Sequence, residues 1–177
     1  MSVPVTDVLA ELRRLAPPEL AQSWDNVGLL VDAGRPVTAV LTALDITPPV
    51  VEEAAALGCE LIVAHHPVIF QPLKTLGPAD VPALLLRRGI SAVCMHTNLD
   101  AAEGGVNDTL AALLGLRDTA VFADGCGRIG TVEPTTAAAL ARLCAEKLGA
   151  HVQYVEAARP VVRVAEVSGA GGSYWQE

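Results

Sequence analysis

Two stretches of this chain hold the side chains best suited to grip a metal ion. In the first, the apolar run Leu61–Ala64 is followed directly by His65, His66 and Pro67. In the second, Val93–Met95 leads into His96, Thr97, Asn98, Leu99 and Asp100. Three of the four histidines in the chain fall in these two places. Neighbouring side chains of an extended segment point to opposite sides, and Pro67 favours such a conformation at His66. Adjacent imidazoles placed that way suit two neighbouring ions better than one. Imidazole combined with carboxylate favours Zn, Mn, Fe or Ni over Ca or Mg. The alternative is a set of half-buried loop histidines bonded to backbone, with Asp100 serving as a loop or cap residue. Glu103 and Asp108 read as cap or loop residues, and no catalytic residue is assigned.

For the two stretches to meet, their strands must be neighbours. Each apolar run reads as a strand, Glu60–Ala64 and Ile90–Met95, and one helix near Ala79–Arg88 joins them. A right-handed crossover makes adjacent parallel strands the default, and ligands of open α/β sheets gather at the strands' C-terminal ends. Around this pair the pattern predicts a helix over Asp7–Leu15 capped by Thr6, a short run Val27–Val31, and a buried strand Val37–Leu44. A helix opened by Pro48–Pro49 and closed by Gly58 follows, then later a helix Asp108–Leu114 capped by Asn107. Asp45, at a strand end, either lines the same cleft or caps the Pro48 helix. The fold class is therefore α/β with a mostly parallel sheet. The composition break at Ala123–Gly130 suggests a boundary, with an N-terminal lobe over 1–122 and a partial second lobe over 123–177. The latter is predicted to hold a strand Arg128–Glu133, a helix Thr136–Leu148, and strands His151–Glu156 and Val161–Val167. His151 reads as structural. The Gly169–Ser173 turn could receive an anion at a helix start, but only Ser173–Glu177 follow it.

Composition narrows the partners. The net charge is −8, and no run of Lys or Arg occurs, so the field repels phosphate backbones and argues against nucleic acid. A phosphorylated small molecule stays compatible, because bound cations invert local polarity. Aromatic residues make up 3% of a chain that is 51% hydrophobic, so the core must be aliphatic. A mean hydropathy of +0.41 reflects either alanine richness or subunit surface buried in a homo-oligomer. The four cysteines are scattered without metal-ribbon spacing. The start of the chain has no basic and apolar leader, and no apolar run reaches spanning length, so no membrane role and a cytoplasmic location are expected.

Five motifs stand in a fixed order: Ser23–Val31 with Trp24, Asp25, Asn26 and Gly28; Leu41–Thr47 with Asp45; His65–Pro67; His96–Asp100; and Gly105–Asp108. In this order the chain resembles the NIF-three-like (Ngg-one-interacting factor three) family, whose members carry the label GTP cyclohydrolase I type 2 homologue. The resemblance covers the whole chain, more loosely after Ala123. It implies two related α/β lobes, a dinuclear metal centre with two divalent ions per subunit, and a homohexamer. It implies that His65 and Asp100 bind one metal and His66 the other. His96 would be a near neighbour, and Asp45 and Asn98 cleft residues. It also implies further ligands, a His and a Glu, beyond the Gly-rich turn; no such motif occurs in this sequence. The second lobe is thus expected to be incomplete, and metal binding weaker than in the intact pattern, with at most one ion held firmly. The function implied is a metal-dependent hydrolase of a nucleotide-like or phosphorylated small molecule. The alternatives are a non-enzymatic metal chaperone or regulatory scaffold, and an inactive fragment.

Overall fold

The computed structural model describes residues 1–174 and 176. Of the C-terminal stretch considered above, Trp175 and Glu177 lie outside the described residues. The chain divides into two compact units, Met1–Ala102 and Glu103–Glu177. The composition break at Ala123 lies inside the second of these. It marks a tight turn, Ala123–Gly125, between two paired strands. Such a turn needs the same small residues as a linker, which is why the two look alike in sequence.

In the first unit the elements run α1 (Val5–Leu15), β1 (Gly28–Val31), β2 (Val40–Ala43), α2 (Pro48–Ala56), β3 (Leu61–Ala64), α3 (Val81–Arg88), β4 (Ser91–Cys94) and α4 (Thr97–Ala101). The sheet order is β1-β4-β3-β2. β2, β3 and β4 are parallel, with Ala43 opposite Ala64 and Ala64 opposite Cys94, while β1 runs antiparallel to β4. Alternation along β3 and β4 builds a core on each face. Ile62 and Ala92 pack with Val51, Ala54 and Leu85 from α2 and α3. Leu61 and Val93 pack with Val5 and Leu9 from α1. Burying an aliphatic side chain of this kind contributes about 1.5–3 kcal/mol. Ile62→Ala would leave a cavity in a position with no solvent exposure.

Several local expectations need correction. α1 begins at Val5, with Pro4 in the cap position, so Thr6 is inside the helix and not its cap. Among the described residues β2 is an edge strand, and its residues alternate between exposed and half-buried, as side chains pointing to opposite faces do when one face is poorly covered. Its apolar sequence had implied burial. The segment after β4 is a short helix, α4, and not a loop.

The second unit contains α5 (Val106–Leu113), β5 (Arg117–Phe122), β6 (Gly127–Thr135), α6 (Ala137–Leu148) and β7 (Val161–Val167). Its sheet, β5-β6-β7, is antiparallel throughout. Gly105, not Asn107, holds the cap position of α5. Asn107 is buried, and its Oδ1 accepts from Ser168 N at 2.8 Å. Thr136 does cap α6, accepting from Ala139 N at 3.1 Å. Residues 151–156 form no strand and are exposed, His151 included. The Gly-rich turn forms a three-residue 3-10 turn, Gly171–Ser173. No helix among the described residues is long and apolar enough to cross a membrane.

Candidate metal centre

β3 and β4 end side by side, and the chain beyond each end carries the histidines. Met95 N donates to Ala64 O at 2.9 Å, extending the β4 pairing by one residue. On the other side, His65 N donates to Ala43 O and His66 N to Leu44 O, at 3.2 and 2.9 Å. Regular pairing would turn successive amides to opposite neighbours. Here two successive amides turn to β2, and the alternation of side chains stops at His65. The two imidazoles therefore do not splay to opposite sides, as an extended segment would require. Their ring centroids lie 5.1 Å apart, and that of His96 lies 5.1 Å from His65 and 5.7 Å from His66. One potential ligand atom from each of His65, His66 and His96 falls within 4.8 Å of the others.

His96 occupies the cap position of α4, whose single turn brings Asp100 back over the end of β3. His65 Nε2 lies 3.7 Å from Asp100 Oδ1. Each ring is fixed through its other nitrogen. His65 Nδ1 meets Met95 O at 3.0 Å, His66 Nδ1 meets Asp45 Oδ1 at 2.7 Å, and His96 Nδ1 meets Asp25 Oδ1 at 2.9 Å. These partners only accept, so each Nδ1 carries a proton, and Nε2 is the nitrogen not engaged by them. Metal-binding imidazoles are held in this way, and the donor set fits a divalent transition metal. Cys94 Sγ donates to His65 O at 3.1 Å. Burial, with the charge of Asp25 adding to it, pushes this thiol up to about 12, so it stays protonated.

Asp25, from the Ser23–Val31 motif, is the residue of the site whose part is not legible in the sequence. Its side chain is fully buried, and it accepts from Thr97 Oγ1 and Thr97 N as well as from His96. Asn26 N adds a fourth bond at 2.7 Å. Burial alone would raise the carboxyl, but the bonds from His96, Thr97 and Asn26 together hold it below the usual carboxylate range. Its partners His96 and Thr97 are about seventy residues away in the chain, so no local spacing could reveal them. Asp45 orients His66 and does not cap α2, whose cap position belongs to Thr47. Asn98 is buried and donates through Nδ2 to Ala16 O at 2.8 Å, tying α4 to the end of α1. No described hydrogen bond links it to an imidazole. A groove of about 280 Å³, lined by Leu12, Leu15, Val63, Met95 and Leu99, reaches the cluster at His65.

The family described as Duf34/NIF3 (NGG1p interacting factor 3) matches residues 3–177. The chain belongs to the Duf34/NIF3 family. A Lactococcus lactis protein named GTP cyclohydrolase 1 type 2 homolog is 38% identical over 185 residues, covering 97% of this chain and 71% of that protein. A protein of the same name from Halalkalibacterium halodurans is 41% identical over 121 residues, 66% of this chain and 32% of its own length. Among solved structures, a Staphylococcus aureus hypothetical protein superposes with a TM-score of 0.87 at 28% identity, covering 98% of this chain and 74% of that one. A Bacillus cereus protein related to NIF3 gives 0.87 at 23% identity, covering 98% and 79%, a likeness of fold. The Duf34/NIF3 match takes in the segments of both histidine motifs.

Proposed function

We propose that this Duf34/NIF3 chain holds divalent metal ions at His65, His66, His96 and Asp100 and serves a metal-dependent hydrolysis of a nucleotide-like or phosphorylated small molecule. The observation that carries the reading is the convergence of three imidazoles, one potential ligand atom of each within 4.8 Å of the others and each Nδ1 committed elsewhere. Such pre-orientation is costly to build for histidines that merely fill a loop. The names of the relatives support a hydrolytic reaction on a purine nucleotide without fixing it, since fold likeness does not set a substrate.

His65 and Asp100 face one another and would share one ion, with His66 serving a second. His96 is close enough to both rings to ligate either. Met95 O, Asp45 and Asp25 would hold the three imidazoles in the tautomer that ligation needs. When bound, divalent cations supply Lewis-acid polarisation and neutralise charge on a phosphorylated substrate. Assembly into a homo-oligomer, a hexamer by family resemblance, belongs to the same proposal. It is supported by the exposed apolar side chains of Leu15, Leu44 and Leu73.

The test is metal analysis of the purified chain and of its His65→Ala and Asp100→Ala variants, with circular dichroism as the control for folding. Both variants should lose bound metal and keep their helicity. Stoichiometric metal in both would defeat the assignment. Metal-loaded protein is then screened against nucleotides and phosphoesters. Turnover supports the hydrolase, and metal uptake without turnover selects a non-enzymatic metal-binding scaffold. Light scattering after size exclusion reads the assembly directly, and a monomer would remove the oligomer from the proposal.

A further inference from the structure

The chain has only two Trp, two Tyr and two Phe, yet two of these rings stand in solvent beside the histidine cluster. Trp24 is 58% exposed and Phe70 45% exposed. Both are held by their neighbours in the chain. Asp25, next to Trp24, is locked into Thr97 and His96, and Gln22 N donates to Thr97 Oγ1 at 3.0 Å. Asn26 Nδ2 donates to Ile69 O at 2.6 Å, which ties the loop of Trp24 to the residue before Phe70. The rings meet at a centroid distance of 6.0 Å and an angle of 70°. Trp24 also stands edge-on to His96, at 6.3 Å and 75°. Trp24 thus stands steeply to a ring on either side, which makes corners in which a flat ring can lie on one face and meet the edge of another. Among the described residues, no hydrogen bond engages the Trp24 indole N–H, which leaves it for an acceptor on a heteroatom-bearing ring.

We propose that Trp24 and Phe70 are the ring-binding wall of this centre. The small molecule brought to His65, His66 and His96 carries a flat unsaturated ring that stacks in the corner, while its polar substituent reaches the histidines. The substrate class then narrows to planar ring compounds, and Trp24 becomes a specificity-determining residue. This rests on the metal-centre reading above. Aromatic walls bind flat rings with little regard to their substituents, and the loss of one such stack typically weakens binding about tenfold.

The experiment uses the full chain carrying Trp175→Phe, so that Trp24 supplies a lone indole signal in nitrogen–proton correlation spectra. Nicotinate is titrated against cyclohexanecarboxylate, which has a similar size and the same carboxylate but no flat ring. Both are run with zinc-loaded and with metal-free protein. Nicotinate should shift the indole signal saturably and bind about tenfold more tightly than the saturated acid. Trp24→Leu, followed by calorimetry, should abolish that preference, and Phe70→Leu should reduce it. Equal affinity for the two acids, or a preference that survives Trp24→Leu, overturns the ring wall even where zinc is bound normally. An indole signal that moves with protein concentration and ignores nicotinate also overturns it, since a second copy of the chain would then occupy the corner. A ring preference in protein that takes up no zinc upholds the wall and defeats the metal reading instead.

Discussion

Asp25 in the first unit and Glu166 in the second are both carboxylic acids taken out of water, and their pKa values move in opposite directions. Asp25 has no exposed side-chain surface, yet four hydrogen bonds keep it ionised. Glu166 sits on β7 directly opposite Arg128 on β6 and is 9% exposed, but neither of its buried oxygens has a hydrogen-bond partner. Arg128 is turned to Asp108 and to the carbonyls of Gly125 and Gly127. Burial pushes the Glu166 carboxyl up to about 7; attraction to Arg128 opposes this, and repulsion from Asp108 adds to it. Burial raises both groups, and what decides the charge is whether donors were built around them. Donors surround the acid that orients a histidine of the candidate centre; the other acid, without them, gives up its proton only near neutral pH.

The strongest challenge to this contrast is Asp25→Ala. It would strand the Thr97 hydroxyl and amide and the His96 ring, so we expect a loss of about 3 kcal/mol in urea unfolding. Zinc affinity should fall about 10- to 100-fold by calorimetry, because His96 loses its orienting partner. A loss under about 1 kcal/mol would mean that the four bonds add little beyond what water supplies.

Glu166→Gln tests the other side. A carboxyl with a raised folded pKa binds its proton more tightly in the folded chain, so its stabilising effect is full below pH 4.5 and is lost as pH rises through about 7. The variant should match the parent in acid and exceed it by about 3 kcal/mol at pH 8. A pH-independent difference would show that Glu166 finds a donor in solution. The smallest effect is expected for Thr97→Val, which removes one of the four bonds to Asp25 and the acceptor of Gln22 N, and should cost about 1–2 kcal/mol at chemical denaturation. A cost equal to that of Asp25→Ala would make the hydroxyl, and not the network, the origin of the difference.

Much of the first unit could be read from periodicity. The apolar runs of β3 and β4 are covered on both faces, and one helix between them fixes their adjacency, so His65, His66 and His96 could be placed together in advance. What escaped was either too short or too distant. α4 has five residues, less than the span over which a helical period repeats. β5 is exposed along almost its whole length and shows no alternation. The segment 151–156 holds the strand formers Val152, Tyr154 and Val155, but among the described residues no neighbouring strand pairs with it. The partnership of Asp25 with His96 depends on the fold being complete, and nothing near either residue announces it.

The doubled pairing of His65 and His66 with β2 also has a meaning for how the gene can change. Leu61–Ala64 is held in register from both sides, by Val40–Ala43 on one and by Ser91–Met95 on the other, and His65 and His66 continue the first of these pairings. Replacing an aliphatic residue there by another leaves the frame intact. Inserting or deleting a single codon moves both imidazoles by one position along the ladder and carries them off their partners Met95 O and Asp45 together. Divergent copies of this segment can therefore drift in spelling while keeping a constant length.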